Sequence, residues 1–381
     1  IYEAEYEGLY SVSEERFITE KEAESGEFRD IKQLKEKNYF FKMSKYQDQL
    51  IDHIQSNPKF IQPEHRKNEI LGFLRKPLND LCISRPKSRL AWGIELPFDE
   101  EYVTYVWFDA LINYLTAAGF NQSSGDFKKW WPASYHLIGK DILTTHAVYW
   151  PTMLFSAGVS LPLSIFAHGW WLTGESKMSK SLGNVINPMD LIKDYGVDPV
   201  RYYLMREMVL GHDSSFTIES FIQRYNSDLA NDFGNLLSRV TTLIKKNYDG
   251  LIPEPGDLGD LDIGIKKKGE ALSKTVHRYV DDMRLNDAIE EIMQFIRGVN
   301  KYMEENAPWK MIKEDKDGAG RVLYTAGEAL RLGAVLLSPI MPNRTKTLLY
   351  ALNVKEKDFS WGTLKAGTRI KSHEPLFPRI K

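Results

Sequence analysis

The sequence has one cysteine, no hydrophobic run of membrane-spanning length and almost no net charge. Cys82 alone cannot form an internal disulfide or a cysteine-ligated zinc site, so we expect a reduced thiol in the cytoplasm. No apolar run approaches the ~20 residues that cross a bilayer, so we expect no membrane partner. The net charge of −2 neither requires nor excludes nucleic acid, because a local basic patch can act within a neutral protein. The 381 residues are enough for two or three domains with their own cores.

The run Gly174-Glu-Ser-Lys-Met-Ser-Lys-Ser-Leu-Gly183 is suited to binding anions. Glycines at both ends allow the backbone to bend and to approach a ligand closely. Lys177 and Lys180 supply two point charges on flexible stems, which fit a triphosphate that changes geometry during a reaction. The alternative is a solvated basic turn. A second run, Lys42-Met43-Ser44-Lys45, has no glycine nearby, and its apolar neighbours at helical spacing predict a structural helix start with solvated lysines.

Apolar strand and helix patterns alternate between Tyr102 and Leu172. Strands are predicted at 103–108, 135–138 and 163–167, with helices at 109–118 and 144–158. This order is typical of an α/β fold with a parallel, doubly wound sheet, which binds ligands at the carboxyl ends of its strands. A cluster of candidate site residues falls at the carboxyl end of each predicted strand, at 107–109, 139–141 and 168–169, so we expect these three clusters to converge on one site.

The rest of the chain has a different character on each side of this region. Residues 1–100 are mixed, and the polar stretch from Glu22 to Lys37 is predicted to be a solvated loop or hairpin tip. From Ile218 onward the pattern is helical, interrupted by a Pro/Gly-rich loop at Gly250–Asp260, which predicts an antiparallel helix bundle. We therefore expect three regions, at 1–100, 101–217 and 218–381.

Six motifs occur in order along the chain. They are Tyr105-Val-Trp-Phe-Asp-Ala110, His136-Leu-Ile-Gly-Lys-Asp-Ile142 with His146, Phe166-Ala-His-Gly169, Lys177-Met-Ser-Lys-Ser181, Arg201-Tyr-Tyr203 and Asn306-Ala-Pro-Trp309. Together they resemble the methionyl-tRNA synthetase family of class I aminoacyl-tRNA synthetases over nearly the whole length. The resemblance implies the second half of a Rossmann-type parallel sheet followed by an all-α anticodon-binding helix bundle. It also implies ATP-dependent activation of L-methionine to methionyl-adenylate and transfer to tRNA(Met), including initiator tRNA, with Mg²⁺ accompanying ATP.

The resemblance assigns site residues in four groups. A methionine pocket would be lined by Trp107, Ala110, Tyr114, Ile142, His146 and Trp150. ATP would be bound by Gly139, Asp141, His168, Gly169 and Lys180. The catalytic pair Lys177 and Lys180 would stabilise charge on the α-phosphate and on the departing pyrophosphate. The anticodon would be read by Asn235, Arg239 and Trp309.

Physical chemistry supports these assignments but leaves structural alternatives open. Aromatic walls suit the polarizable thioether of methionine, and an exposed aromatic ring suits stacking of an unpaired base. The tryptophans also fit core packing, and Asp141 also fits a helix N-cap. His146 also fits a hydrogen-bonded core histidine, and Asn235 and Arg239 also fit an ordinary surface.

Two features depart from the family's pattern. No His-x-Gly-His turn occurs anywhere in the sequence, so we expect Ile1 to lie within the insertion (connective peptide) that splits the family's catalytic domain. We also expect the chain to lack the first strands of the sheet and to activate methionine poorly alone. The matching insertion segment from Tyr10 to Asn38 contains no cysteine, so no zinc is expected there.

Two other functions compete with this interpretation. One is a non-catalytic tRNA-binding fragment or paralog of a synthetase, which would need neither the signature lysines nor the pocket aromatics. The other is a synthetase for another apolar amino acid, such as leucine or valine. The compact insertion, too short for a large editing domain, and the Ala307-Pro308-Trp309 element disfavour the second alternative.

Overall fold

The structure is a computed structural model that describes residues 1–11, 16–18, 23–24, 30–122, 125–174, 176–178, 183–355 and 358–380. The chain divides into two compact units, Ile1–His168 and Gly169–Lys381. Each unit has its own hydrophobic core. Among the described residues, no helix is both long and apolar enough to cross a membrane.

The first unit begins with a four-stranded antiparallel sheet in the order β2-β1-β3-β5. Its strands are β1 (Tyr2–Ser11), β2 (Arg16–Ile18), β3 (Ile31–Phe41) and β5 (Leu81–Cys82). Opposite charges on facing strands stabilise the pairing, since Lys37 lies 2.6 Å from Glu3 and Lys35 lies 3.4 Å from Glu5. The predicted loop at Glu22–Lys37 is therefore wrong from residue 31 onward, because these lysines are strand residues with cross-strand partners.

The second Lys-Met-Ser-Lys run is structural, as predicted. It forms a short 3₁₀ turn, Met43–Tyr46, that leads into α1 (Gln47–Ser56). Met43 is buried, and the Ser44 hydroxyl donates to Asp80 Oδ1 at 2.6 Å. The lysines at 42 and 45 are exposed. A further helix, α2 (Glu64–Phe73), completes this part of the unit.

A parallel sheet of three strands positions the predicted nucleotide-binding residues. Its order is β4 (Ile61–Gln62), β10 (Ile165–His168) and β9 (His136–Gly139). Residues 135–138 and 163–167 were predicted as strands, and both predictions are confirmed to within two residues at each end. Gly139 pairs with His168 at the carboxyl end, so two of the three polar clusters converge there as expected.

The remaining predicted strand, at 103–108, is wrong in extent and does not join the parallel sheet. Strand β8 (Asp99–Thr104) pairs antiparallel with β6 (Ser84–Pro86) and β7 (Glu95–Leu96) in a separate sheet. The chain then enters helix α3 (Val106–Ala117). Tyr105 is the extended N-cap residue, and Trp107 lies in the first helical turn. All six residues of the run Val103–Phe108 are β-branched or aromatic, which favours a strand throughout, and periodicity cannot locate a boundary inside such a run.

The remaining helices of the first unit surround its core. They are the short α4 (Phe127–Trp130), a π-helical turn at Thr145–Tyr149 and α5 (Trp150–Ala157). Pro151 has no N–H and cannot donate to the carbonyl of Ala147, so the wider turn just before it replaces a regular α-helical turn. π-helical turns occur frequently at functional sites, and this one contains His146.

The second unit begins with a small sheet that sequence reasoning missed. Strand β11 (Trp171–Thr173) pairs antiparallel with β12 (Ser176–Lys177) and parallel with β13 (Ser214–Phe216). Helices α6 (Pro188–Tyr195) and α7 (Val197–Glu207) lie between β12 and β13 in the chain. These strands are only two or three residues long, too short to show alternation in the sequence.

A helix bundle forms the rest of the second unit. Its helices are α8 (Ile218–Arg224), a π-helical segment at Tyr225–Gly234, α9 (Asn235–Asn247), α10 (Asp260–Asp281), α11 (Leu285–Asn306), α12 (Pro308–Met311), α13 (Lys316–Leu337) and α14 (Pro342–Ala351). Helix α13 is central, since every residue from Val322 to Leu337 is buried. The predicted fold class, a parallel α/β sheet followed by a helix bundle, is confirmed.

A buried ion pair attaches the C-terminal segment to this bundle. Glu328 and Arg331 are both 0% exposed and are joined by two bonds of 2.8 Å. Arg331 donates to the carbonyls of Asp358 and Ser360, and Glu328 accepts the backbone N–H of Leu364 at 3.0 Å. These hydrogen bonds hold the C-terminal segment against α13. Removing either partner of the pair would leave an uncompensated buried charge.

Candidate active site and anticodon-binding surface

An aromatic and histidine cluster lies between α3 and the helix that contains the π-turn. The Tyr114 ring centroid is 5.7 Å from that of His146, 6.0 Å from Trp150 and 4.2 Å from His136. Trp107 lies 6.3 Å from His146, edge to face. Although Trp107 is helical rather than at a strand end, it is two turns from Tyr114 on the same face of α3. The structure therefore brings together four residues predicted for the methionine pocket.

Two hydrogen bonds fix His146 in one tautomer. Its Nδ1 lies 2.9 Å from the carbonyl oxygen of Ile142, and its Nε2 lies 2.9 Å from the Tyr114 hydroxyl. Because a carbonyl only accepts, Nδ1 carries the proton and Nε2 accepts the hydroxyl proton of Tyr114. Burial lowers the pKa of His146, so the neutral ring that this geometry requires is the stable form.

The other predicted pocket residues differ in exposure. Ala110 is exposed on α3, and Ile142 is half-buried. Trp150 is only 1% exposed, so it packs in the core of the unit and supports the cluster through Tyr114. The core-packing alternative thus describes Trp150, whereas Trp107 keeps an accessible face.

His136 is a member of the cluster to which sequence reasoning gave no role. Its Nε2 accepts a hydrogen bond from Trp150 Nε1 at 3.1 Å. Burial, with a smaller contribution from His146, lowers the pKa of His136 from 6.5 to about 4. The sequence does contain a signal for this residue, since His136 alternates with Ile138 on the buried face of a predicted strand, where a histidine needs a hydrogen-bond partner.

Gly139, Asp141 and His168 form a small corner at the carboxyl end of the parallel sheet. A Cβ atom at position 139 would lie 2.5 Å from Asp141 Oδ1 and 3.9 Å from His168 Cε1. Only glycine leaves this space open. Asp141 is exposed and lies inside the 3₁₀ turn Lys140–Ile142, whose N-cap is Gly139. The helix-cap alternative for Asp141 therefore does not describe its position.

Gly169 has a structural reason to be glycine. A Cβ atom there would lie 2.1 Å from the carbonyl oxygen of His212. The neighbouring Trp170 N–H donates to Asp213 Oδ1 at 2.9 Å, which keeps the two segments close. This close backbone approach accounts for the glycine on its own, and the ATP-binding role of Gly169 stays a prediction.

The glycine-bracketed run from Gly174 to Gly183, which contains the Lys177–Ser181 motif, starts as the second strand of a hairpin. Gly174 in the turn has φ +62° and Gly183 beyond the run has φ +66°, so both need a left-handed backbone. The Thr173 hydroxyl donates to the Asn184 carbonyl at 3.0 Å, which closes the base of the loop. Lys177 belongs to β12 by its backbone, whereas Lys180 lies outside the described residues.

The predicted anticodon residues meet on one surface of the bundle. The Arg239 guanidinium lies 5.0 Å above the Trp309 ring and 2.7 Å from Glu304 Oε1. Trp309 is 36% exposed, so it is not the buried bundle tryptophan of the alternative. Ala307 turns the chain between α11 and α12 with φ +42°, and Pro308 begins α12, which presents Trp309 beside α9. Asn235 is exposed one helical turn before Arg239.

Potential metal ligands do not cluster in the part of the chain that the structure describes. No three or more His, Cys, Asp or Glu side chains among those residues are placed to hold a metal ion. Several residues between Tyr10 and Asn38 lie outside the described ranges. The expectation of no zinc in that segment therefore stays a prediction.

Two family models together match most of the chain. The family described as tRNA synthetases class I (M) matches residues 11–241. The chain belongs to this family. The anticodon binding domain of methionyl tRNA ligase matches residues 252–381.

Individual relatives of the synthetase family match the chain along its whole length. It is 44% identical over 392 residues to the methionine–tRNA ligase of Caldanaerobacter subterraneus subsp. tengcongensis. That alignment covers 100% of the chain and 61% of the relative. It is 41% identical to the methionine–tRNA ligase of Thermotoga maritima, covering 100% of the chain and 62% of the relative. The chain thus spans about three-fifths of the length of these relatives.

Solved structures show the same fold. The Mycobacterium tuberculosis methionyl-tRNA synthetase in complex with methionyl-adenylate is 39% identical, with a TM-score of 0.93, covering 99% of this chain and 77% of that one. The free-state enzyme from the same organism is 37% identical, with a TM-score of 0.91, covering 100% of this chain and 78% of that one.

The low pKa of His136 predicts a specific loss of stability in acid. Between pH 6.5 and 4 the unfolded chain binds a proton that the folded chain excludes, so this contribution is complete above pH 6.5 and is lost as the pH falls. His136→Gln keeps an acceptor for Trp150 but does not titrate. We expect the free energy of unfolding, measured by denaturant titration, to fall by about 3 kcal/mol less in the variant than in the parent over this range. The control is His277→Gln at an exposed position on α10, and equal acid sensitivity of His136→Gln and the parent would contradict the assignment.

Proposed function

We propose that this chain carries the methionine pocket, part of the ATP site and the anticodon-binding bundle of a methionine–tRNA ligase. The reaction is ATP-dependent activation of L-methionine to methionyl-adenylate, followed by transfer to tRNA(Met), including the initiator. The main support is the cluster of Trp107, Tyr114 and His146, because these residues match the family's motif and also meet in space. Residues 1–100 form the insertion, 101–217 the second half of the catalytic domain and 218–381 the anticodon-binding domain.

The cluster suits an unbranched thioether. Sulfur makes favourable contacts about 5 Å from aromatic rings, and such contacts do not require a branched or rigid ligand. Trp107 and Tyr114 offer aromatic surface on one face of α3, with Ala110 between them leaving space for the side chain. The neutral His146 adds no charge to this apolar environment. A charged ring would attract polar competitors and would need an additional partner.

The adenosine part of ATP binds at the carboxyl end of the parallel sheet. Gly139 permits close approach, and the exposed carboxylate of Asp141 accepts hydrogen bonds from ribose hydroxyls. His168 contacts the adenine side. In the first step, a carboxylate oxygen of methionine attacks the α-phosphorus, the bond to the bridging oxygen breaks and pyrophosphate leaves. Lys177 and Lys180 stabilise the charge that moves onto the α-phosphate and pyrophosphate, mainly by position and electrostatics.

Mg²⁺ accompanies ATP as a phosphate-bound ion. Phosphate oxygens and water would supply most of its coordination, and the ion would neutralise charge on the phosphates while Lys177 and Lys180 act on the same phosphates from the protein.

The bundle surface reads unpaired anticodon bases. An exposed indole such as Trp309 stacks a splayed base, and Arg239 and Asn235 offer donors to base edges. Glu304 holds the Arg239 guanidinium over the indole, so a base that stacks there must displace or share that guanidinium. A non-catalytic tRNA-binding paralog would retain this surface, but it would not need the aromatic cluster or the sheet corner.

Methionine-dependent ATP–pyrophosphate exchange tests the catalytic proposal. It should be measured for this chain and for the longest natural chain that contains it, with Lys180→Ala and Lys45→Ala in the longer chain. We expect exchange by the longer chain, a loss of about 100- to 1000-fold in Lys180→Ala, and unchanged affinity for methionine. Lys45→Ala is the matched control, because it removes a lysine from the structural copy of the motif.

Two outcomes of this experiment would contradict the proposal. Exchange by neither chain, with tRNA binding retained, would favour the non-catalytic tRNA-binding protein. A loss of methionine affinity in Lys180→Ala as large as the loss of exchange would remove the phosphate role of that lysine.

Trp309→Ala tests the anticodon role separately from activation. A stacked base contributes about 1–3 kcal/mol, so we expect kcat/KM for charging of tRNA(Met) to fall by about 5- to 150-fold while pyrophosphate exchange is unchanged. Trp309→Phe keeps an aromatic face and should retain most of the charging activity. Trp130→Ala, at another exposed tryptophan, is the control. Normal charging by Trp309→Ala would exclude the proposed role.

A further inference from the structure

A cleft runs along α9 beside the predicted base-reading residues. Its volume is about 610 Å³. It is lined on one side by α9 and on the other by the C-terminal segment. We define the basic cleft by six of its polar residues: Ser238, Thr242, Lys245, Arg369, Lys371 and His373. Thr241, Asp249 and Ser372 complete its polar lining. Nothing in the proposed reaction uses these residues.

The walls of the basic cleft are held by backbone hydrogen bonds. Ile252 N–H donates to the Thr368 carbonyl at 2.9 Å, and Ile370 N–H donates to the Gly250 carbonyl at 2.8 Å. The Arg369 guanidinium donates to the carbonyl of Asp249 across Gly250. Gly250 has φ +74°, and a Cβ there would lie 3.4 Å from Arg369 Nη1. The cation is thus positioned by a fixed turn rather than by a free side chain.

Three cations and one carboxylate line the basic cleft. Lys245 and Arg369 are exposed, and the Lys371 ammonium lies 4.3 Å above the Tyr350 ring. Among the described residues, no carboxylate forms an ion pair with any of these three cations, and Asp249 is the one acidic residue of the lining. Cations on a concave surface without counter-charges raise the local concentration of anions.

Helix geometry connects the cleft to the anticodon surface. Residues three and four apart on a helix are neighbours, so Ser238 adjoins both Asn235 and Thr242, and Thr242 adjoins Lys245. From Asn235 to Lys245 the helix rises about 15 Å at ~1.5 Å per residue. The exposed face of α9 therefore leads from the base-reading residues to the cations. An RNA strand bound at Trp309 would continue past α9 toward the cleft.

We propose that the basic cleft binds the sugar–phosphate backbone of the paired stem that adjoins the anticodon loop. This inference rests on the proposed tRNA function. Double-stranded RNA is recognised mainly through its phosphates and 2′-hydroxyls, and the cleft offers ammonium and hydroxyl groups suited to both. Backbone contacts set position and affinity without reading sequence. The cleft therefore strengthens and orients stem binding, whereas Asn235, Arg239 and Trp309 select the anticodon.

Salt-dependent RNA binding by the longest natural chain tests this inference. The ligands are an anticodon stem–loop hairpin of tRNA(Met) and the same loop sequence without its paired stem. In Lys245→Ala/Lys371→Ala, we expect hairpin affinity to fall by about 2- to 30-fold. The slope of log Kd against log salt should decrease by about 1 to 2, as expected for two lost phosphate contacts. Affinity for the unpaired loop should be unchanged.

Matched variants separate this inference from the function on which it rests. Lys267→Ala removes one charge from an exposed position on α10 and should leave the slope unchanged. Lys245→Glu should weaken hairpin binding more than Lys245→Ala, and thermal unfolding checks that each variant is folded. If the double variant keeps the parent's slope of log Kd against log salt while Trp309→Ala still weakens binding, the proposed role of the cleft is wrong and the tRNA function stands. Equal losses for hairpin and loop would overturn the stem assignment. Failure of the parent to bind either RNA would overturn both the cleft and the tRNA function.

Discussion

The hydrogen bond between the Tyr114 hydroxyl and His146 Nε2 is the constraint on which the candidate methionine pocket depends. It joins α3 to the π-helical turn, while the Nδ1–H bond to Ile142 fixes the opposite side of the ring. Burial keeps His146 neutral, and the neutral ring is the form that can accept from a hydroxyl. Around this pair, Trp107 supplies an accessible aromatic face and Trp150 packs as support. One local geometry thus determines the tautomer, the charge and the shape of the cluster.

Sequence reasoning predicted those parts of the fold that leave a long or distinctive pattern. The α/β order, the helix bundle and the convergence of Gly139 with His168 followed from periodicity and from the rule for strand ends. The turn at Ala307-Pro308-Trp309 also has a local cause, because proline is favoured at the first helical position and disfavoured further inside. The other features follow either from the periodicity of a continuous segment or from a general rule of sheet geometry.

The remaining features depend on contacts between residues distant in sequence. Val103–Phe108 was predicted as one strand, but the chain begins a helix at Val106 and the strand pairs antiparallel in another sheet. His136 had no predicted role because its partner, Trp150, lies fourteen residues away on a different element. The basic cleft was not predictable, since Lys245 and Lys371 come from segments that meet only after folding. Gly169 belongs to a motif, yet the close approach of the His212 backbone is enough to require a glycine there.

The affinity of the longest natural chain for L-methionine, compared between the parent and Tyr114→Phe by titration calorimetry, tests the central claim most directly. Removing the hydroxyl leaves the buried Nε2 of His146 without its donor, at a cost of about 1–3 kcal/mol. If this bond shapes the pocket, the variant should bind methionine at least about fivefold more weakly, with unchanged affinity for ATP. Equal methionine affinity in parent and variant would contradict the assignment of this cluster as the methionine pocket.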